Sequence, residues 1–137
     1  MRTGIQLHKG LFNETLPRFL ATEDLSAPLA WVSVDCDLYA GARDVLALLG
    51  PHIRAGTRLH FHEIIYGHKW LTAFNKNHTP PDYPLSDEAR ALYEWLRAHP
   101  KALLELRPVK SMTNTQAAAF VARQIAGPVR SAAGPAS

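Results

Sequence analysis

The sequence predicts an α/β domain built around a mainly parallel sheet. Short apolar segments typical of buried strands alternate along the chain with segments typical of helices, and this alternation favours a layered fold. The length of 137 residues suits one domain, and 47% hydrophobic with 20% charged residues is an ordinary globular composition. We therefore expect one domain over residues 1–126, followed by a flexible tail, residues 127–137, rich in small residues.

The first third of the chain predicts two strands and one helix. Residues 5–9 alternate between apolar and polar side chains, which indicates a short strand. A helix is expected over residues 13–20, because Asn13 can cap it and Pro17 is tolerated in a first turn. Residues 29–34 are almost continuously apolar and predict a strand covered on both faces.

The middle of the chain predicts a helix, a strand and a long loop. Residues 41–49 have apolar side chains at helical spacing and are followed by Gly50-Pro51, a helix stop. Residues 58–65 again have the pattern of a buried strand. Residues 66–85 are rich in His, Asn, Pro and Tyr and predict a long loop, of the kind that often binds ligands.

The last third predicts one helix and two strands. Residues 86–98 form a strongly amphipathic helix with Ser86 as N-cap, and Glu88 in its first turn is explained by the helix dipole without any function. Residues 102–109 and 117–125 are expected to be the closing strands.

Composition excludes several classes of protein. No apolar stretch is long enough to cross a membrane, and a single cysteine excludes an internal disulfide framework. The start of the chain has no secretory signal, so we expect a cytoplasmic protein. The excess positive charge lies at the end of the chain, where residues 101–137 hold five Lys/Arg against one Asp/Glu. It includes no Lys/Arg run and no interleaved aromatic residues, so nucleic-acid binding is an unfavoured interpretation.

Polar side chains follow two of the predicted strands. Asp35 and Asp37 come after the first buried strand, and His62 and Glu63 lie towards the end of the second. Ligands of such sheets sit beyond the carboxyl ends of the strands. Oxygen donors with one imidazole suit Mg, Mn or Zn, which can polarise a hydroxyl or carbonyl. The alternative is that these residues merely cap strand ends in water.

Other candidates are less specific. His60 has the parity of His62 and can chelate beside it, or else be an ordinary histidine of the sheet. Tyr66, His68 and Trp70 lie in the predicted loop and either line a substrate pocket or form an ordinary aromatic cluster. Cys36 stands between two carboxylates, which raise the pKa of its thiol and make it a poor nucleophile.

Three segments resemble the macrocin O-methyltransferase family, a group of Rossmann-like class I methyltransferases that use S-adenosylmethionine and act on hydroxyls. The family patterns are G-x-F-x-x-T-L-P, a strand ending in D-x-D-L-Y, and a strand ending in D-D-Y or D-E-Y. This chain has residues 9–17 (KGLFNETLP), residues 34–39 (VDCDLY), and a strand after Gly56-Thr57 that ends near Glu63. The resemblance covers residues 5–125.

The resemblance implies methyl transfer from S-adenosylmethionine to a hydroxyl of a small molecule, a sugar or a phenol. It implies a divalent ion, Mg or Zn, held by Asp35, His62 and Glu63, with Asp35 also catalytic. The cofactor site would be lined by Gly10, Leu11, Phe12, Asp35, Asp37 and Tyr39. The acceptor would be covered by Tyr66, His68 and Trp70.

The chain departs from the family in two ways. His62 stands where the family has an acidic ligand, and Ile64 replaces the tyrosine of the third motif. The chain also lacks the first two strands of a class I methyltransferase and the Gly-rich cofactor turn. We therefore expect a truncated or fragmentary form with an open sheet edge, where a second copy or a complementing chain can associate.

Two other functions are compatible with the same residues. One is a metal-dependent hydrolase or lyase that uses His60, His62 and Asp35. The other is a non-catalytic protein that dimerises through the open edge of its sheet.

Overall fold

The computed structural model of this protein describes residues 4–64, 67–107 and 118–124. Helices and strands follow one another along these ranges. In order they are α1 (Phe12–Thr22), β1 (Trp31–Val34), α2 (Tyr39–Leu49), a short 3-10 helix (Gly50–His52), β2 (Arg58–Phe61), α3 (Gly67–Asn77), α4 (Asp87–Ala98), β3 (Leu103–Arg107) and β4 (Ala118–Gln124).

The four strands of the described ranges form one mixed sheet in the order β1-β2-β4-β3. Strand β1 is parallel to β2, whereas β4 runs antiparallel to both β2 and β3. The prediction of a mainly parallel sheet is therefore wrong. Two strands that are adjacent in sequence can pair antiparallel without a crossover helix, and β3 and β4 do so.

The hydrophobic core lies on one face of this sheet. Val32, Leu59 and Phe120 are in register across three strands, and all three side chains are buried with residues of α2, α3 and α4. The opposite face carries Trp31 and Arg58, which are exposed. Side chains alternate between the faces of a strand, so the helices cover one face and leave the other face open in the described part of the chain.

The turn before β2 is fixed by Thr57, a buried polar residue. Its hydroxyl donates to the carbonyl oxygen of Leu29 at 2.7 Å and accepts from the N–H of Arg54 at 3.0 Å. Gly56 precedes it with φ +96°, a conformation that glycine adopts without a side-chain clash. These hydrogen bonds join the segment before β1 to the segment before β2 and help to fix the register of the two parallel strands.

The N-terminal segment differs from its prediction. Residues 5–9 are not a strand, and Ile5 and Leu7 are 94% and 93% exposed. An alternating pattern becomes a strand only where a neighbouring strand pairs with it, and none of the described strands does so. Helix α1 begins at Phe12 rather than after Asn13, and therefore places Pro17 inside the helix.

The predicted loop over residues 66–85 is wrong in its first half, which forms α3. Trp70, Leu71 and Phe74 are buried, at spacings of one, three and four residues that place them on one helix face. This helix pattern is present in the sequence, but the prolines and polar residues that follow it obscured it.

The remaining elements agree with the prediction in type but differ at their ends. Strand β1 was expected to be covered on both faces, but it is buried on one face only in the described part of the chain, since Trp31 and Ser33 are exposed. Helix α2 begins two residues earlier than expected, and β2 ends at Phe61. Ser86 occupies the N-cap position of α4, although its side chain makes no capping hydrogen bond. The predicted tail, residues 127–137, lies outside the described residues. None of the described helices has the length and apolar character needed to span a bilayer.

Replacing Gly50 with alanine is expected to destabilise the fold by about 1–3 kcal/mol, although alanine favours helices. A Cβ atom at this position would lie 2.9 Å from Nε1 of Trp95, which is a buried ring. Chemical denaturation checks this by comparing the variant with the parent chain. Equal stabilities of the Gly50 variant and the parent chain would contradict the close packing.

Candidate functional site

The parallel pairing of β1 and β2 brings their carboxyl ends together. The N–H of His62 donates to the carbonyl oxygen of Val34 at 3.1 Å, which places His62 beside Asp35. The predicted juxtaposition of the two polar segments is therefore present, although β2 ends just before His62 rather than beyond it.

The side chains of Ser33, His62 and Asp35 lie in a row across these strand ends. The Oγ atom of Ser33 lies 3.4 Å from Nε2 of His62, and Nδ1 of His62 lies 3.9 Å from Oδ2 of Asp35. The two nitrogens of one imidazole thus face a hydroxyl and a carboxylate. The side chains of His62 and Asp35 are 39% and 64% exposed, so a ligand in solution can reach them.

His60 lies beside this row of three side chains. Its ring centroid is 4.4 Å from that of His62, and its Nδ1 atom is 3.5 Å from Oγ of Ser33. Burial lowers the pKa of His60, and the neighbouring His62 lowers it further. His60 therefore favours its neutral form.

A buried carboxylate accepts hydrogen bonds from the segments that follow both strands. Glu88, in the first turn of α4, has no exposed surface. Its Oε1 atom accepts the N–H of Cys36 at 2.9 Å, and its Oε2 atom accepts the N–H of Glu63 at 2.9 Å. Each oxygen thus holds one of the two segments that carry Asp35 and His62.

Sequence reasoning missed two members of this arrangement. The helix dipole alone explains Glu88 in the sequence, because its two donors are 52 and 25 residues away in the chain and no local pattern reveals them. Ser33 stands within an apolar segment that predicts a buried strand. The parity of Ser33 with Asp35 was the available signal, because residues two apart share a face.

The thiol of Cys36 is half-buried beside this carboxylate. Its Sγ atom lies 3.7 Å from Oε1 of Glu88 and 3.6 Å from the carbonyl oxygen of Leu38. Burial raises the pKa of the thiol, with smaller contributions from Glu88 and Asp37. The predicted direction is confirmed, but burial is the larger cause.

Asp37 and Tyr39 lead from β1 into α2. Asp37 has φ +55°, a left-handed conformation that aspartate tolerates better than most residues. The hydroxyl of Tyr39 donates to Oε2 of Glu94 at 2.5 Å, and the Arg90 guanidinium lies 4.5 Å from its ring centroid. The hydrogen bond to Glu94 raises the pKa of Tyr39. The tyrosine that the resemblance assigns to a cofactor thus joins α2 to α4 here.

The first motif reaches the same region. A Cβ atom built on Gly41 would lie 3.4 Å from Cδ2 of Phe12 and 3.1 Å from Sγ of Cys36. The structure therefore places Phe12 against the segment that follows β1, with Gly10 and Leu11 exposed just before it.

The predicted metal centre is not supported. The described residues contain no group of three or more His, Cys, Asp and Glu side chains placed to hold a metal ion. This correction applies both to the set Asp35, His62 and Glu63 and to the alternative set with His60.

Of the three predicted acceptor residues, the structure describes the side chain of Trp70. Trp70 is buried on α3 and packs edge to face on Tyr93, with ring centroids 5.9 Å apart. Its Nε1 atom has no hydrogen-bond partner within the described part of the chain. His68 lies on α3, and Tyr66 lies outside the described residues.

Replacing His62 with glutamine is expected to raise the pKa of His60 towards its ordinary value of about 6.5, because the electrostatic effect of His62, which lowers that pKa, is removed. A titration followed by NMR measures this, and His8→Gln is the control. A lowered folded-state pKa also means that His60 stabilises the fold fully above pH of about 6.5 and less as the pH falls through that pKa. An unchanged His60 titration in the His62 variant would contradict the coupling.

Comparison with solved structures relates this geometry to known folds. The chain is similar to the apo structure of CalS11, a TDP-rhamnose 3'-O-methyltransferase of calicheamicin biosynthesis, with 24% identity and a TM-score of 0.54. A second structure of CalS11, described as a calicheamicin methyltransferase, gives 23% identity and a TM-score of 0.52. Each match covers 82% of this chain but spans only 39% and 35% of the respective CalS11 chains.

Sequence comparison adds no family. No protein-family model matches the chain, and no curated protein matches it. The macrocin O-methyltransferase family is therefore not confirmed. The structural likeness shows that the mixed sheet and its helices are part of an α/β fold like that of methyltransferases.

Proposed function

We propose that this chain forms the acceptor-binding part of a sugar O-methyltransferase, in which His62 and Asp35 receive the proton of the hydroxyl that is methylated. The observation that carries the proposal is the row of Ser33, His62 and Asp35 at the ends of two parallel strands. It stands in a fold similar to that of a TDP-rhamnose 3'-O-methyltransferase.

The imidazole of His62 is oriented for proton transfer. Asp35 faces Nδ1 and favours the tautomer that carries its hydrogen there, which leaves Nε2 as the base. Ser33 shows that a hydroxyl is accommodated 3.4 Å from Nε2. An acceptor hydroxyl in that position gives its proton to Nε2, and the Asp35 carboxylate stabilises the resulting imidazolium.

Methyltransferases as a class take the methyl group from S-adenosylmethionine, and that cofactor supplies an electrophilic methyl when bound. The described residues do not provide a complete site for it. Leu11, Phe12 and Leu38 offer exposed apolar surface near the strand ends. However, within the described ranges no strand leads through a glycine-rich turn into α1. The residues present therefore fit the acceptor side of the reaction and not the whole donor site.

An NMR titration with TDP-rhamnose tests the proposal. The sugar nucleotide is expected to shift the signals of Ser33 and His62, because the acceptor hydroxyl competes for Nε2. Replacing His62 with glutamine or Asp35 with asparagine is expected to raise the ligand concentration needed for half of the shift by about tenfold, since the contacts among Ser33, His62 and Asp35 are broken. His8→Gln, an exposed histidine elsewhere, is the control and should titrate as the parent chain does.

The folded state of each variant is checked by its amide spectrum. If TDP-rhamnose leaves Ser33 and His62 unchanged in the folded parent chain, the proposed acceptor site is wrong. If both site variants respond as the parent chain does, binding takes place elsewhere and the assigned roles are wrong.

A further inference from the structure

The open face of the sheet carries a groove that the proposed proton transfer does not use. Its volume is about 680 Å³, within the range of small-molecule sites. Besides Trp31 and His60, three arginines line it, namely Arg58, Arg107 and Arg123.

The strand register assembles these side chains from all four strands. Trp31 on β1 is paired with Arg58 on β2, and Arg58 is paired with Val121 on β4. Arg107 on β3 is paired with Ala119, opposite His60. Residues so distant in sequence share one face only because the four strands are in this order.

The groove has an excess of positive charge. Glu105 pairs with Arg123 at 2.5 Å and with Arg107 at 3.4 Å, so one carboxylate orients two guanidiniums. Arg58 has no ion-pair partner within the described ranges. Three guanidiniums against one carboxylate leave about two positive charges, which matches the charge of a diphosphate.

An aromatic surface adjoins this charge. Trp31 is 61% exposed, and its ring meets His60 edge to face at 6.3 Å. An exposed indole beside arginines can stack on a nucleobase, and arginine binds phosphate oxygens through two parallel hydrogen bonds.

We propose that this groove, which we call the arginine groove, binds the nucleoside diphosphate portion of a nucleotide-linked sugar. Residues 31, 33 and 35 follow one another on the same side of β1, so Trp31 and Asp35 are roughly 13 Å apart at about 3.3 Å per residue. A nucleoside diphosphate that starts at Trp31 thus directs its sugar along Ser33 towards His62. This direction rests on the proposed function, whereas binding of the nucleotide does not.

Titration of the whole chain with TDP, thymidine and inorganic pyrophosphate tests the proposal. The fluorescence of Trp31 reports binding, since Trp70 and Trp95 are buried, and Trp31→Phe should remove the signal. TDP is expected to bind at least about tenfold more tightly than thymidine or pyrophosphate alone, because it makes both kinds of contact. Arg58→Gln should weaken TDP binding by about tenfold, and Arg18→Gln, an exposed arginine on α1, should not.

Three outcomes would overturn the arginine groove as a nucleotide site. The first is equal affinity for TDP and pyrophosphate, which means general anion binding. The second is tighter binding of a short oligothymidylate than of TDP, which means a single-stranded nucleic-acid surface. The third is a dimer that dissociates on Arg58→Gln and does not bind TDP, which means that a second copy covers the face.

The two proposals fail separately. If TDP-rhamnose shifts the signals of Ser33 and His62 but TDP does not bind, the acceptor site is supported and the arginine groove is overturned. If TDP binds at Trp31 but TDP-rhamnose leaves the signals of His62 unchanged, the arginine groove is supported and the acceptor site is overturned.

Discussion

Replacing Glu88 with alanine is expected to lower the free energy of unfolding by about 3–5 kcal/mol, a large part of the stability of a domain this size. The variant removes the charged acceptor of two backbone N–H groups, those of Cys36 and Glu63. Both donors lie where the strands end, and the side chain that accepts from them has no exposed surface. Urea denaturation followed by circular dichroism measures the loss.

Two further variants separate the hydrogen bonds from the charge. Glu88→Gln keeps one acceptor oxygen but turns an NH2 group towards one of the two N–H donors, so it is expected to recover only part of the loss. Asp87→Asn removes a charge from the same first turn on an exposed residue and should change the stability by less than about 1 kcal/mol. Equal losses in the Asp87 and Glu88 variants would mean that the helix dipole alone explains Glu88.

Replacing Leu59 with alanine is expected to cost about 2–5 kcal/mol. Leu59 is 1% exposed and lies in the centre of the sheet, in register with Val32 and Phe120. Its truncation leaves a cavity between the sheet and the helices, which the backbone of a central strand cannot close. Thermal or chemical unfolding measures the effect.

The matched control is Leu7→Ala, the same chemical change on a side chain with hardly any buried surface. It should change the stability by less than about 0.5 kcal/mol. A large loss in this variant would mean that residues 5–9 are packed as a strand after all, as their alternating pattern predicted.

The predictable part of this fold is the part that local patterns determine. The apolar segment before Asp35 and the amphipathic segment after Ser86 form β1 and α4, because a short apolar run and a helical spacing of apolar residues are both local patterns. The juxtaposition of Asp35 and His62 was also predictable, since parallel strands end at the same edge.

The parts that could not be predicted depend on distant partners. The exposure of Ile5 and Leu7 depends on which strands are present to pair with them, and the antiparallel insertion of β4 depends on competition between strands for β2. The role of Glu88 depends on two backbone donors that only the tertiary fold brings to it. The predicted metal centre is not supported, because the described residues bring together no group of three or more His, Cys, Asp and Glu side chains that could hold an ion.

The position of β1 at one end of the sheet makes the stability of this chain a property of its surroundings as well as of its sequence. Its second row of backbone N–H and C=O groups pairs with none of the described strands. Any polypeptide that pairs there favours the folded state by RT ln(1 + [L]/Kd), so the melting temperature becomes dependent on concentration. The same bonds would hold Ser33 and Asp35 at fixed positions on their strand. Occupancy of that edge and organisation of the acceptor site are thus thermodynamically linked.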